Sequence, residues 1–119
     1  MKVMVIVKAN KDSEAGVMPS EQLLREMGNY NEQLVNAGIM LAGEGLQPTS
    51  KAVRIQFSGN KRTVVDGPFA ETREQLGGYY LVEAKDLDEA IALAARIPSA
   101  RTGTIEVRPL VPAMAAASA

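Results

Sequence analysis

Two carboxylates stand out by their neighbours. Glu44 lies between Gly43 and Gly45, and Asp66 opens the tetrapeptide Asp66-Gly67-Pro68-Phe69. Glycines inside a strand weaken it but permit close approach of backbone, so Glu44 reads as a residue aimed into a tight polar cleft or as the mark of a β-bulge. Asp66 reads as a turn former: Asp bonds amides just ahead, Gly supports unusual φ, Pro fixes φ at about −65° and Phe folds back as an anchor. It also reads as a pocket carboxylate at a strand end. Glu71, Arg73 and Glu74 follow. A guanidinium there can clamp an anion through two hydrogen bonds; the alternative is a solvated turn with weak surface pairs. Glu44, Asp66, Glu71 and Arg73 are thus the ligand-binding candidates. Asp66 and Glu44 are the catalytic candidates, since two carboxylates held in opposite protonation states can do acid–base work where they meet.

What the chain lacks narrows this chemistry. It has no His and no Cys, which removes the commonest general base and transition-metal ligand together with thiolate nucleophiles, cysteine zinc sites and disulfides. Carboxylates alone suit Mg²⁺ or Ca²⁺, but no loop has the spacing of a dedicated site, so neither a metal nor a cofactor is expected. The formal net charge is −1, with 13 Lys and Arg against 14 Asp and Glu spread along the chain. That is no footprint for a phosphate backbone, and nucleic acid is not an expected partner. Apolar runs such as Met40-Leu41-Ala42 are too short to span a bilayer, so no membrane is expected either. Met1–Val5 carries no secretory leader, and a cytoplasmic location is expected.

The elements that must position the candidates follow from periodicity. Lys2 to Lys8 predicts a strand apolar on both faces, with Val3, Val5 and Val7 alternating with Met4 and Ile6. Residues 9–18 read as a polar loop. From Glu21, Leu23, Leu24, Met27, Tyr30, Leu34 and Val35 recur at helical spacing behind a Ser20 cap, and Gly38 closes the helix. Gly28 within it marks either a close helix–sheet contact or a weak spot costing about 1 kcal/mol. Ile39–Leu46 predicts a second strand. Val53–Phe57 and Arg62–Val65 flank Ser58-Gly59-Asn60 as a β-hairpin with one wet face. Ala70–Leu76 reads as a short helical turn, followed by a strand through Tyr79–Glu83, whose two tyrosines face opposite ways. Asp86 caps a helix through Leu87–Ile97, and Thr104–Arg108 is the last strand.

Without the hairpin this order is β-α-β-β-α-β, the split pattern of α+β ferredoxin-like folds. At 119 residues there is room for one domain, expected over residues 1–110, with 111–119 a flexible, small-residue tail. Two helices cover only one face of such a sheet, and the doubly apolar first strand therefore predicts a homodimer through the other.

Gly43-Glu44-Gly45-Leu46, Val65 to Glu74, Leu76-Gly77-Gly78-Tyr79-Tyr80, Asp86 to Ala90 and Ile105 to Pro109 form an ordered series of motifs. The chain resembles the YCII-related family in these segments, and specifically its DGPF branch. The resemblance covers about Lys2 to Leu110 and implies a dimeric ferredoxin-like α+β barrel. Some relatives carry a His and Asp pair proposed as an active site in a cleft, one related group acts as a dehalogenating lyase on aromatic diols, and DGPF-type domains occur near alternative sigma factors. With no His here, that pair is incomplete. Three functional readings stand: a small-molecule-binding or regulatory dimeric module, a carboxylate-based lyase or isomerase acting on a small aromatic or hydroxylated metabolite, and a purely structural interaction protein.

Overall fold

The computed structural model describes residues 1–70, 75–98 and 103–112. Strand β1 (Lys2–Lys8) opens the chain and the capped helix α2 (Glu21–Asn36) follows it, with a short helix α1 (Lys11–Glu14) between them. That stretch reads as a polar loop in sequence. It closes into a turn of helix because Asn10 and Ser13 form a capping box, Asn10 Oδ1 accepting from the Ser13 N–H at 2.8 Å and Ser13 Oγ from the Asn10 N–H at 2.9 Å. Ser20 caps α2 by accepting from the Leu23 N–H at 3.1 Å, and Gly38 leaves it at φ 71°. Strand β2 (Met40–Gly45), a 3₁₀ turn (Thr49–Lys51), the hairpin strands β3 (Val53–Ser58) and β4 (Lys61–Asp66), β5 (Leu76–Glu83), α3 (Leu87–Ala95) and β6 (Ile105–Pro109) complete the order.

The main sheet runs β2-β5-β1-β6, every neighbouring pair antiparallel. The chain is thus a ferredoxin-like α+β fold. The hairpin forms a separate two-stranded sheet. Register fixes which side chains meet the helices. Val3 lies opposite Val82, and Val5 lies between Tyr80 and Val107. This row packs against Tyr30 and Leu34 of α2 and against Ala90, Leu93, Ala94 and Ile97 of the α3 region. The Tyr30 hydroxyl donates to the Leu93 carbonyl at 2.7 Å, joining the two helices inside the core. Tyr80 faces the helices and Tyr79 the other side, as alternation requires. The opposite face carries Met4, Ile6, Tyr79 and Leu81; Ile6, flanked by Tyr79 and Glu106, is only 7% exposed.

Gly28 is settled as a weak spot: a Cβ there would meet nothing within 4 Å, so no close contact requires it. Leu76 already belongs to β5. Ala70 and Gln75 are not helical, and residues 71–74 of the expected helical turn, including Glu71, Arg73 and Glu74, lie outside the described residues, as does most of the expected tail. No helix among the described residues is long and apolar enough to cross a membrane.

Candidate functional site

A cavity of about 580 Å³ opens where the N-terminal half of α2 diverges from the sheet. Its origin is a deficit of side chains. Gly43 pairs with Tyr80, and Gly45 with Gly78, across β2 and β5. Tyr80 points to the helices, so all three glycines sit on the helix side and leave a bare strip of backbone as the floor. The roof is Leu23, Met27 and Asn31 of α2, and the near wall Val17 and Met18. Space at the glycines is not uniform. A Cβ on Gly78 would press on the Glu44 carbonyl oxygen at 2.9 Å, whereas one on Gly45 would meet nothing within 4 Å and would project into open space.

A neutral pair bridges the roof and floor of the cavity. The Tyr80 hydroxyl donates to Asn31 Oδ1 at 2.7 Å, which leaves the Asn31 amide hydrogens and the phenol lone pairs for a ligand. Burial pushes the Tyr80 phenol above its ordinary value of 10.0, opposed by the Asn31 hydrogen bond and assisted by Tyr30. It is therefore a protonated hydrogen-bonding group at neutral pH. Lys8 at the rim is engaged with Glu106 at 3.5 Å. Met18, Met27 and Met40 supply soft, adaptable walls.

Glu44 borders this cavity. It pairs with Tyr79, however, and alternation turns its exposed side chain toward the sheet face away from the helices. Asp66 ends β4, is exposed and is not among the cavity residues, so the two carboxylates do not share the cleft. The amides of its turn are taken by other groups: the Gly67 N–H donates to the Ala52 carbonyl at 2.9 Å and the Phe69 N–H to Thr49 Oγ1 at 3.2 Å. Thr49 therefore fills the turn-forming role that sequence assigns to Asp66. Its own hydroxyl and N–H both donate to the Glu14 carboxylate, which binds α1 to the same turn. Gly67 is required by space, because a Cβ would run into the Thr49 carbonyl. Phe69 is an anchor, with the Arg54 guanidinium 3.8 Å above its ring centroid. Glu71 and Arg73 lie outside the described residues. Among the described residues no group of three or more carboxylates stands ready to hold a metal ion.

Asn31 has no sequence signal of its own, since it sits on a helix among other polar residues. Tyr80 carries one: it is the second of two tyrosines that follow a Gly-Gly pair in an apolar strand.

Comparison with known proteins agrees with this architecture. An uncharacterised protein of Rhizobium meliloti (strain 1021) is 40% identical over 92 residues, 76% of this chain and 74% of the relative. Among solved structures, the 5-chloro-2-hydroxyhydroquinone dehydrochlorinase TftG of Burkholderia phenoliruptrix AC1100, in complex with 2,5-dihydroxybenzoquinone, superposes with a TM-score of 0.55 at 13% identity. The match covers 93% of this chain and 94% of that one, and it is a likeness of fold. The model of the YCII-related domain matches residues 1–114, and the chain belongs to that family.

Proposed function

We propose that the chain is a small-molecule-binding module whose ligand is a compact, uncharged, flat molecule with one oxygen-bearing edge. The observation that carries this reading is the glycine-floored cavity. Its volume lies within the usual range for small-molecule sites of about 300–1,000 Å³, and the hydrogen-bonded pair between its roof and floor, Tyr80 and Asn31, is neutral, while Lys8, Asp12 and Glu44 also line it. A bare backbone floor suits a flat ring, methionine walls adapt to its outline, and the phenol–amide pair can both donate to and accept from a carbonyl or hydroxyl. A protein of the same fold holding a dihydroxylated quinone is in keeping with such a ligand. The acid–base alternative needs Asp66 and Glu44 on one cleft and draws no support from their placement.

The test is a thermal-shift screen of phenols, aromatic diols and quinones against matched carboxylates, followed by recovery of each stabilising compound. The expected result is saturable stabilisation by uncharged members, with the compound recovered unchanged. Conversion of a compound would move the reading to the lyase or isomerase alternative, and a panel without effect would refute it.

A further inference from the structure

We propose that a second cavity, at the foot of the β3–β4 hairpin, binds a short-chain aliphatic carboxylate through the side-chain amide of Gln75. The cavity has a volume of about 480 Å³ and opens where the segment between β2 and β3 passes Phe69 and the first residues of β5. That volume also falls in the range of small-molecule sites, about 300–1,000 Å³. None of its residues lines the glycine-floored cavity, so the two sites are independent.

An unanswered donor points to a ligand. Gln75 is only 7% exposed, and its Nε2 is closed off from water with no acceptor in reach among the described residues. A buried amide left in that state costs free energy comparable to a lost hydrogen bond. The Gln75 carbonyl accepts from the Ala9 N–H at 2.8 Å, which fixes the backbone from which the side chain departs. The last torsion of a glutamine is broad and roughly two-fold, so a turn of the amide about it presents the nitrogen to the cavity.

The chemistry of the wall selects the occupant. Lys51, exposed at the rim, is its one charged residue among those described. Thr49, the other buried polar residue, has already placed both its donors on Glu14, whose carboxylate lies outside the wall. Gln75 and Lys51 thus meet a ligand as an amide and an ammonium, a pair of donors that calls for a negatively charged acceptor, and one cation matches one carboxylate. Around them Leu46, Pro48, Ala52, Phe69 and Leu76 are apolar. Leu46 and Leu76 remain 49% and 40% exposed, which leaves surface for a hydrocarbon tail to cover.

Titration of the isotope-labelled full chain with butyrate and hexanoate, each against its primary amide, tests this by NMR. The expected result is saturable movement of the Gln75 side-chain amide and of the Leu46 and Leu76 backbone resonances at millimolar acid, with Asn31 and Tyr80 unmoved. The primary amides should bind at least about tenfold more weakly. Gln75→Leu should raise the dissociation constant of hexanoate by at least about tenfold, yet raise the urea midpoint of the free protein, because it removes a buried orphan at similar volume. Lys51→Gln, at an exposed position, should weaken binding about two- to fivefold. Lys85→Gln, exposed and absent from the wall, should leave it unchanged. Acids that move no resonance of the wall, or that bind Gln75→Leu as well as wild type, would overturn the proposal. So would a lower urea midpoint in Gln75→Leu, the mark of a structural glutamine, and primary amides that bind as tightly as their acids would overturn the carboxylate as its ligand.

Discussion

Thr49 and Gly67 make the sharpest residue-scale expectations. Thr49 donates twice to the Glu14 carboxylate and accepts from the Phe69 amide. Thr49→Val keeps the volume but strands these partners, and should cost about 1–3 kcal/mol in urea denaturation. Gly67→Ala forces a methyl into the Thr49 carbonyl, and a loss of about 1–3 kcal/mol is expected from overpacking. Asp66→Ala removes an exposed side chain and should stay within about 0.5 kcal/mol of wild type. The reverse ranking of Thr49 and Asp66 would return the turn to Asp66. The tetrapeptide was legible as a turn because Gly-Pro punctuation is local. Its true hydrogen-bond partner was not, because Thr49 lies twenty positions before Phe69 and only tertiary structure brings it there. The same limit applies to the cavity floor. A glycine at 45 is ambiguous until its partner across the sheet is known to be another glycine. Gly45→Leu is then a clean test of the site: the side chain has open space to occupy, so the fold should persist while ligand-induced stabilisation disappears from the melting curve.

At the scale of elements, alternation and caps carried most of the information. The valines of β1, the Ser20 and Asp86 caps and the Gly38 terminus all act within a turn or two of sequence, and β1, α2 and α3 each lie within two residues of their expected places. What escaped was α1, where only the Asn10–Ser13 box outweighs a loop composition. Helix α2 holds a correctable weakness at Gly28, whose missing Cβ would touch nothing; Gly28→Ala should stabilise the protein by about 0.5–1 kcal/mol, read as a higher urea midpoint. The helix–helix and helix–sheet seams also set an alkaline limit. Burial raises the phenols of Tyr30 and Tyr80 above 10.0, with Arg96 opposing the shift at Tyr30. The unfolded chain therefore releases these protons first, and their contribution to stability is intact below pH 10 and lost as pH rises through the higher folded values. Urea midpoints should fall above about pH 10, and less steeply in Tyr80→Phe.

For the whole molecule, the two regions of functional interest lie on different parts of one framework. The cavity belongs to the helix side of the main sheet, and the hairpin is a separate sheet beside it. Fold class was readable in the order of elements alone, because few topologies place two helices on one face of four antiparallel strands. The exposure of the hairpin was not, since alternation predicts an apolar face without saying what covers it. Between cavity and hairpin stands the Glu14–Thr49–Phe69 junction: Glu14 ends α1, whose neighbours Asp12 and Ser13 line the cavity mouth, while Thr49 and Phe69 flank the base of the hairpin. Such a junction makes the two equilibria thermodynamically linked whenever ligand entry displaces α1. Occupancy would then change the packing of the hairpin base by some factor, and whatever holds that base must change ligand affinity by that same factor.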